Sequence, residues 1–566
     1  MTNKQIARLL KQTASLIEIT GGNTFRARAF ENAGRTIERL EVPLAEVAAT
    51  GELTSLKGIG AGLAAQIKEI LERGSFAARD ELLEQVPAGV LDLLRIKGLG
   101  AKKAYLLWHE VGVTSVEELE EAAAAGRLST LDGFGPKTVQ KLLDEIERYK
   151  KYRVRRRYAE AVADARPMLD ALDALPGVQA VDVAGEMRRK METVDAVELV
   201  VATQDGSNIP GALAAFGVKV TPAQNEDGTL EGSLPDGFPL RVYLAPPARY
   251  GTALWHHTGS ENHVAAFVTR YGEPEPAQDE KEIYIRAGIE YVPPELRENT
   301  GELEAAAEHR LPRLIEPSDL KGNLHNHSTF SDGTNTIAEM AEAARAMGYS
   351  YFGLCDHSRS LAIANGLSIE RVLEQQAEIR RLNESYAASG KDRFRIFSGT
   401  ESDILTDGSL DYPDDVLATF DFVVASVHQG FNMTVEEATR RLIRAIENPY
   451  TTILGHATGR LLLSREGYPI DHERVIDACA ENEVSIELNA NPWRLDMDWR
   501  WIRYATERGV LISINPDAHS VEELANTYWG VQVARKGWLT PEQCLNAKSL
   551  DAFEEWLNAR RKRRIA

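Results

Sequence analysis

The spacing of apolar residues changes twice along this chain. From the start to about residue 150 they recur three to four apart, and short glycine turns separate the stretches that carry them, so this region is predicted to be all-helical. Three of the turns share one pattern: Leu56-Lys-Gly-Ile-Gly60, Ile96-Lys-Gly-Leu-Gly100 and Leu131-Asp-Gly-Phe-Gly135. Each leads into a helical stretch, such as 101–107 or 136–142. From about 158 to 300 helical stretches mix with short apolar runs of strand type, among them 180–184 and 198–202. The segment 292–297 and the polar stretch to about 318 read as a closing loop and linker. From about 320 onward, short apolar runs alternate with amphipathic helices such as 337–347, the pattern of a β/α barrel. The fold class is therefore multidomain, with an all-α front, an α+β middle and a C-terminal barrel.

The most specific chemistry lies in that barrel. Six of the twelve histidines form one ordered series with acidic residues: His325-x-His327, Asp332, Asp356-His357, Glu401, His428, His456 and Asp517-x-His519. Most stand where an apolar run stops, as at 351–355, 422–425 and 510–514. Metal-binding side chains at strand ends are how a β/α barrel builds a site at one mouth. Imidazole and carboxylate together suit Zn²⁺, Mn²⁺ or Fe²⁺, and a carboxylate among them can bridge two ions. A single such histidine satisfies a core hydrogen bond equally well; the ordered set points to a multi-metal hydrolytic site.

The glycine turns have their own chemistry. They carry the helix-hairpin-helix signature, in which glycine lets the backbone approach a phosphate and the amides of the next helix donate to it. Lys57, Gly58, Gly60, Lys97, Gly98, Gly100, Lys102, Gly133, Gly135 and Lys137 are the candidate DNA-backbone contacts, without sequence specificity. The run Lys150–Arg157 reads as a basic helix along a phosphate track or as a solvated face. Arg560–Arg564 reads as a solvated helix end.

At 566 residues the chain exceeds a single core. Its net charge of −20 is unevenly spread: residues 1–157 hold 25 Lys+Arg against 21 Asp+Glu, and the remainder holds 40 against 64. A mildly basic front and an acidic, metal-collecting back are compatible with DNA as substrate. Three separated cysteines, Cys355, Cys479 and Cys544, argue against a disulfide framework and fit a reducing cytoplasm. No apolar stretch approaches the ~20 residues that span a bilayer, and the start lacks the profile of a signal peptide. The expectation is a cytoplasmic monomer with no membrane partner.

On these motifs the whole chain resembles the bacterial X-family DNA polymerases that carry a C-terminal polymerase-and-histidinol-phosphatase (PHP) domain. The resemblance implies four domains: a helical domain with a helix-hairpin-helix over 1–80 and a fingers-like helix-hairpin-helix domain over 81–157. A nucleotidyltransferase-like palm and thumb-like region with a linker follows over 158–318, then a PHP metallohydrolase over 319–566. It implies nine metal ligands: His325, His327, Asp332, His357, Glu401, His428, His456, Asp517 and His519. Three ions are implied, Mn²⁺ and/or Zn²⁺, with Mg²⁺ as a further option. The partition it suggests puts His325, His327, Glu401 and Asp517 on one ion, Glu401 bridging to a second with His428, and Asp332, His357, His456 and His519 on the third. Asn489 is a polar neighbour or an ordinary strand-end residue.

The middle departs from that family. Its nucleotidyl-transfer site begins Gly-Ser, runs through Arg-Arg and Glu-Thr, and ends in Asp-x-Asp. Here Gly185, Arg188, Arg189, Glu192 and Thr193 remain, but the serine is Glu186 and the two aspartates are Ala196 and Glu198. The third carboxylate is Pro239. Asp195 and Glu198, three apart on a strand, are expected to point opposite ways. Two-metal phosphoryl transfer needs those carboxylates, so the polymerase core is expected to be disabled despite its retained Thr258-Gly-Ser260. The lyase lysine of relatives is replaced by Gln66, with Lys68 on another helix face.

The leading expectation is a metal-dependent 3′→5′ exonuclease acting on gapped or 3′-ended DNA, with Glu401 and His428 catalytic and Arg460 or Arg494 pairing with a phosphate. One alternative is an active Mn²⁺-dependent polymerase using Glu192, Asp195 and Glu198. Another is a DNA-binding platform whose barrel cleaves abasic-site DNA or a small phosphoester.

Overall fold

Helices build the first of two units, Met1–Arg153 and Val154–Ala566, in a computed structural model that describes residues 3–38, 40, 42–222, 228–388 and 393–565. The apolar faces of the first unit make two cores, one around Ile6, Phe30, Ile67 and Phe76 and one around Leu93, Leu107, Leu119 and Phe134. The helices Ala61–Arg73, Ala101–Val111 and Pro136–Tyr152 begin immediately after the three repeated turns. Gly58, Gly98 and Gly133 hold φ of +84°, +89° and +81°, a left-handed conformation that glycine adopts without steric penalty. The basic run departs from its expected helix. The helix stops at Tyr152, and strand β1 (Arg156–Arg157) pairs antiparallel with β3 (Thr193–Val194), so these arginines belong to the second unit.

Five strands form the middle sheet: β2 (Val178–Val183), β4 (Val197–Thr203), β5 (Lys219–Pro222), β6 (Thr229–Ser233) and β7 (Pro239–Ala245). Their order is β2-β4-β7-β6-β5, with β4 and β7 parallel and the other pairs antiparallel. Alternate apolar residues of β4 and β7 pack with the helix Tyr158–Asp173.

The segment 292–297 and the stretch to about 318, expected as a closing loop and linker, contribute to a packed cluster. Val292, Leu296, Leu303 and Leu314 are buried with Trp255 and Tyr284 in one cluster. Arg297, fully buried, forks onto Glu280 with both Nη atoms at 3.0 Å, and Arg188 grips the same carboxylate at 2.7 and 2.8 Å. The pairing hides charge that the local sequence pattern presents as exposed.

Seven parallel strands make the barrel: β8 (Gly322–Asn323), β9 (Tyr351–Leu354), β10 (Arg395–Asp403), β11 (Phe422–Ser426), β12 (Ile453–Leu454), β13 (Ser485–Asn489) and β14 (Ile512–Asn515), in sequential order. A parallel bridge between Asn326 and Ala518 joins the segment after β8 to that after β14 and closes the ring. The helices Ile337–Ala346 and Val435–Glu447 start in capping boxes, Thr336 with Glu339 and Thr434 with Glu437. At the opposite end from the strand termini, the last helix, Leu550–Ile565, uses its basic run as a clasp. Arg560 is buried and donates to the carbonyls of Thr451 and Glu483, while Arg563 pairs with Glu483. The run is thus a structural tie rather than a solvated end.

Candidate functional site

Eight of the nine expected metal ligands sit at the carboxyl end of a barrel strand, and Asp332 lies in the loop between β8 and the helix Ile337–Ala346. His325 and His327 follow β8, His357 follows β9, Glu401 lies in β10, His428 follows β11, His456 follows β12, and Asp517 and His519 follow β14. The turn that aims the last two holds Asp517 at φ +53°, an uncommon conformation for a residue with a side chain.

Glu401 stands at the centre. Its Oε1 is 3.0 Å from His456 Nε2, 3.2 Å from His428 Nε2 and 3.4 Å from His325 Nε2; its Oε2 is 2.8 Å from His357 Nδ1 and 3.7 Å from His327 Nε2. Asp517 Oδ1 faces His327 and His325 at 3.1 and 3.7 Å. Asp332 Oδ1 is 3.4 Å from His519 Nε2 and 3.5 Å from His357 Nε2. Among the described residues three groups have the spacing for a cation: His327, Asp332, His357 and His519; His325, His327 and Asp517; and His357, Glu401 and His428. The partition implied by resemblance differs in part, and His357 also groups with Glu401 and His428. His456 lies against Glu401 rather than with Asp332 and His519, and His327 stacks on both His357 and His519 at 4.3 and 4.2 Å.

The donors fit divalent ions. Glu401 Oε2, His325 Nε2 and His357 Nδ1 are buried without a hydrogen bond of acceptable geometry, although they face one another closely. Converging lone pairs of this kind are uncompensated unless a cation lies between them. The far nitrogens are held by other groups: Glu487 Oε2 takes His325 Nδ1 at 2.6 Å, Asp403 Oδ1 takes His428 Nδ1 at 2.5 Å, and the Asp517 carbonyl takes His519 Nδ1 at 3.0 Å. Carboxylate–histidine pairs fix which nitrogen faces a metal. Burial disfavours a charged His428, yet the Glu401 and Asp403 carboxylates outweigh it and lift that imidazole to about 10. His327, deeply buried beside His519 and His357, is pushed down to about 3.

Glu487 and Asp403 were not singled out from the sequence, although the signal was there. Asp403 is two residues from Glu401 on one strand and Glu487 two from Asn489 on another, and such pairs share a face. Asn489 is more than a strand-end residue: its amide donates to Glu487 at 2.9 Å and Asp517 at 3.0 Å. Asp356 turns away from the cluster and accepts from Ser328, Ser331 and Gln375, fixing the loop that carries His327 and Asp332. Of the two candidate phosphate arginines, Arg460 is bound to Asp498 and the carbonyls of Arg494 and Leu495. Arg494 reaches to 3.5 Å from Asp517 Oδ2.

The middle sheet holds its acidic residues differently. Glu198 is half-buried where a Cβ on Gly185 would meet its Oε2 at 1.5 Å, and it accepts from Tyr243 at 2.7 Å with Arg241 at 3.4 Å. Burial raises its carboxyl above the usual range. Asp195 does not point away as expected: it lies at a bend before β4 begins, so strand alternation does not apply, and its carboxylate is 4.0 Å from the same Arg241. Glu186 pairs with Arg155 at 2.8 Å, and Glu192 is drawn off to Trp499 and Arg500 of the barrel half. Ala196 is buried, and Pro239 is the first residue of β7. Thr258 hydrogen-bonds Arg188 and, through its carbonyl, Arg189.

In the first unit Lys57, Lys97, Lys102 and Lys137 are exposed beside the glycine turns. Gly60, Gly100 and Gly135 precede their helices with no side-chain cap. Nothing stands within 4 Å of a Cβ built on any of the three, so the helix starts are open to a ligand.

Fold and site together define a class: helix-hairpin-helix repeats joined to a PHP barrel. Residues 1–76 match the helix-hairpin-helix domain family, 90–148 the SAM-like helix-hairpin-helix tandem and 323–491 the PHP domain. A Bacillus subtilis protein named DNA polymerase/3′-5′ exonuclease PolX is 36% identical over 98% of this chain and 99% of its own length. The chain belongs to the PolX family. Shorter relatives match the barrel half: a probable phosphatase of Acetivibrio thermocellus is 27% identical over 43% of this chain and 96% of its own length. Another, from Vibrio atlanticus, is 29% identical over 36% of this chain and 79% of its own length.

Proposed function

We propose that this protein is a metal-dependent 3′→5′ DNA exonuclease whose barrel cleaves the terminal phosphodiester, and that its middle sheet no longer polymerises. The observation that carries the reading is the convergence of five imidazoles on the single buried carboxylate of Glu401. Divalent ions bound there supply Lewis-acid activation of a water and neutralise charge on the phosphate. Glu401 offers one oxygen to His428, His456 and His325 and the other to His357 and His327, so it serves as the bridge between ligand groups. His428 and Glu401 are the residues whose loss stops the chemistry. Asp403 and Glu487 hold His428 and His325 with Nε2 directed inward. The exposed lysines and bare helix starts of the first unit hold DNA by its backbone, gapped or 3′-ended, with no base readout.

Loss of polymerisation is supported by what replaces the carboxylates. Arg241 sits between Asp195 and Glu198, Glu186 is neutralised by Arg155, and Glu192 is engaged elsewhere. The trio Glu192, Asp195 and Glu198 is therefore not gathered for Mn²⁺. A second reading, hydrolysis of a small phosphoester, is favoured by the barrel-only relatives named probable phosphatases.

The test is Glu401→Ala. Hydrolysis of a 3′-labelled strand is expected to be lost, because Glu401 is shared by the imidazoles that would hold the ions, with DNA affinity unchanged. Equal cleavage by the variant refutes the assignment. Activity on mononucleotides with none on DNA ends favours the second reading.

A further inference from the structure

The loop after β13 carries Trp493, one of the few large apolar side chains left in the open, at 51% exposure. Its exposure is not looseness. The Trp493 amide donates to Asn491 Oδ1 at 3.0 Å, its carbonyl accepts from the Leu462 amide at 2.6 Å, and Arg460 ties the carbonyls of Arg494 and Leu495. One ring face is covered: the Arg157 guanidinium lies 3.2 Å from the ring centroid and is itself only 11% exposed. The area left open is therefore largely the outer face of a rigid aromatic ring backed by a cation.

This loop is also bound to the metal centre at two points. Arg494, the next residue, reaches to 3.5 Å from Asp517 Oδ2. The Asn491 backbone amide donates to Asn489 Oδ1 at 3.1 Å, and Asn489 donates to the same Asp517 Oδ2 at 3.0 Å. A flat π-face thus stands on the rim of the cluster, with the positive charges of Arg157 and Arg494 beside it. Neither packing of the core nor ligation uses the ring.

We propose that Trp493 is the stacking platform for the unpaired 3′-terminal nucleobase of the strand being shortened, with Arg494 beside the phosphate that follows. The inference rests on the exonuclease reading. Nucleobases stack on exposed aromatic rings irrespective of sequence. A strand laid along Trp493 and Arg494 delivers its last phosphodiester to the side of the cluster formed by Asp517, His325 and His327. Preference for a frayed or single-stranded end follows, because a paired base does not expose its face.

The experiment uses the full chain with Mn²⁺ and an oligonucleotide ending in 2-aminopurine, its last linkage a phosphorothioate to prevent cleavage. Binding is expected to quench the fluorophore severalfold by stacking. Trp493→Phe retains the quench. Trp493→Ala loses it and raises Kd for a single-stranded end by about 5- to 150-fold, the range for one stacked base. Strands ending in an abasic residue provide the control: Trp493→Ala slows removal of base-bearing ends and leaves abasic ends unchanged, whereas a merely structural role slows both. Equal quenching and Kd in wild type and Trp493→Ala overturn the proposal. Shortening of unprotected DNA without a Trp493-dependent quench removes the platform alone; a Trp493-dependent quench without shortening removes the exonuclease reading instead.

Discussion

Asp403 and Glu487 each receive the far nitrogen of a histidine whose near nitrogen faces Glu401. Asp403→Ala frees the His428 ring to turn, and such losses weaken metal affinity or activity about 10- to 100-fold. Titration of the metal-stripped variant with Mn²⁺ checks this, with circular dichroism unchanged; wild-type affinity contradicts the orienting role. A different buried charge sets acid stability. Burial alone raises the Glu280 carboxyl, but Arg297 and Arg188 outweigh it and hold it down to about 2. A carboxylate depressed from its usual 4.5 adds stability that is complete above that pH and is lost as pH falls toward 2. The contribution is about 3 kcal/mol. Glu280→Gln is therefore expected to lower unfolding free energy by that order at pH 7, with the gap to wild type closing as pH falls from 5 to 2. A gap that stays constant with pH sinks this account.

At the scale of elements, the three glycine turns repeat one conformation. Gly98 holds φ +89°, and a Cβ there meets nothing within 4 Å. Gly98→Ala thus costs only the left-handed backbone penalty, about 1–2 kcal/mol, and chemical denaturation of the full chain reads it as a lowered midpoint. An unchanged midpoint shows that the turn is not held in this form. These turns were legible because glycine, lysine and the following apolar period recur together. The ligands were legible because most of them interrupt an apolar run at a strand end. Asp195 was misread because the alternation rule was carried across a break: β4 begins at Val197, two residues later. The polar stretch from 292 to 318 misled for another reason. Its burial depends on Arg297 meeting Glu280, a pairing across 17 residues that local period cannot show.

At the scale of the molecule, the second unit contains both an acidic sheet with its charges internally paired and a barrel whose charges converge. Glu186, Asp195 and Glu198 each face an arginine, whereas Glu401 faces imidazoles on both oxygens. The replacements Glu186, Ala196, Glu198 and Pro239 are visible along the chain, but only the folded arrangement shows Arg241 beside both Asp195 and Glu198. Ligand spacing can be read from a chain, while the partner that neutralises a carboxylate comes from another strand. The central claim is that synthesis has been lost and shortening kept. Its most direct test is a 5′-labelled primer in a gapped duplex, incubated with the pure protein, Mn²⁺ and all four nucleotides. The primer is expected to shorten with the wild-type chain and to remain intact with His428→Ala. Extension of the primer contradicts the account, because it shows that the middle sheet still polymerises DNA.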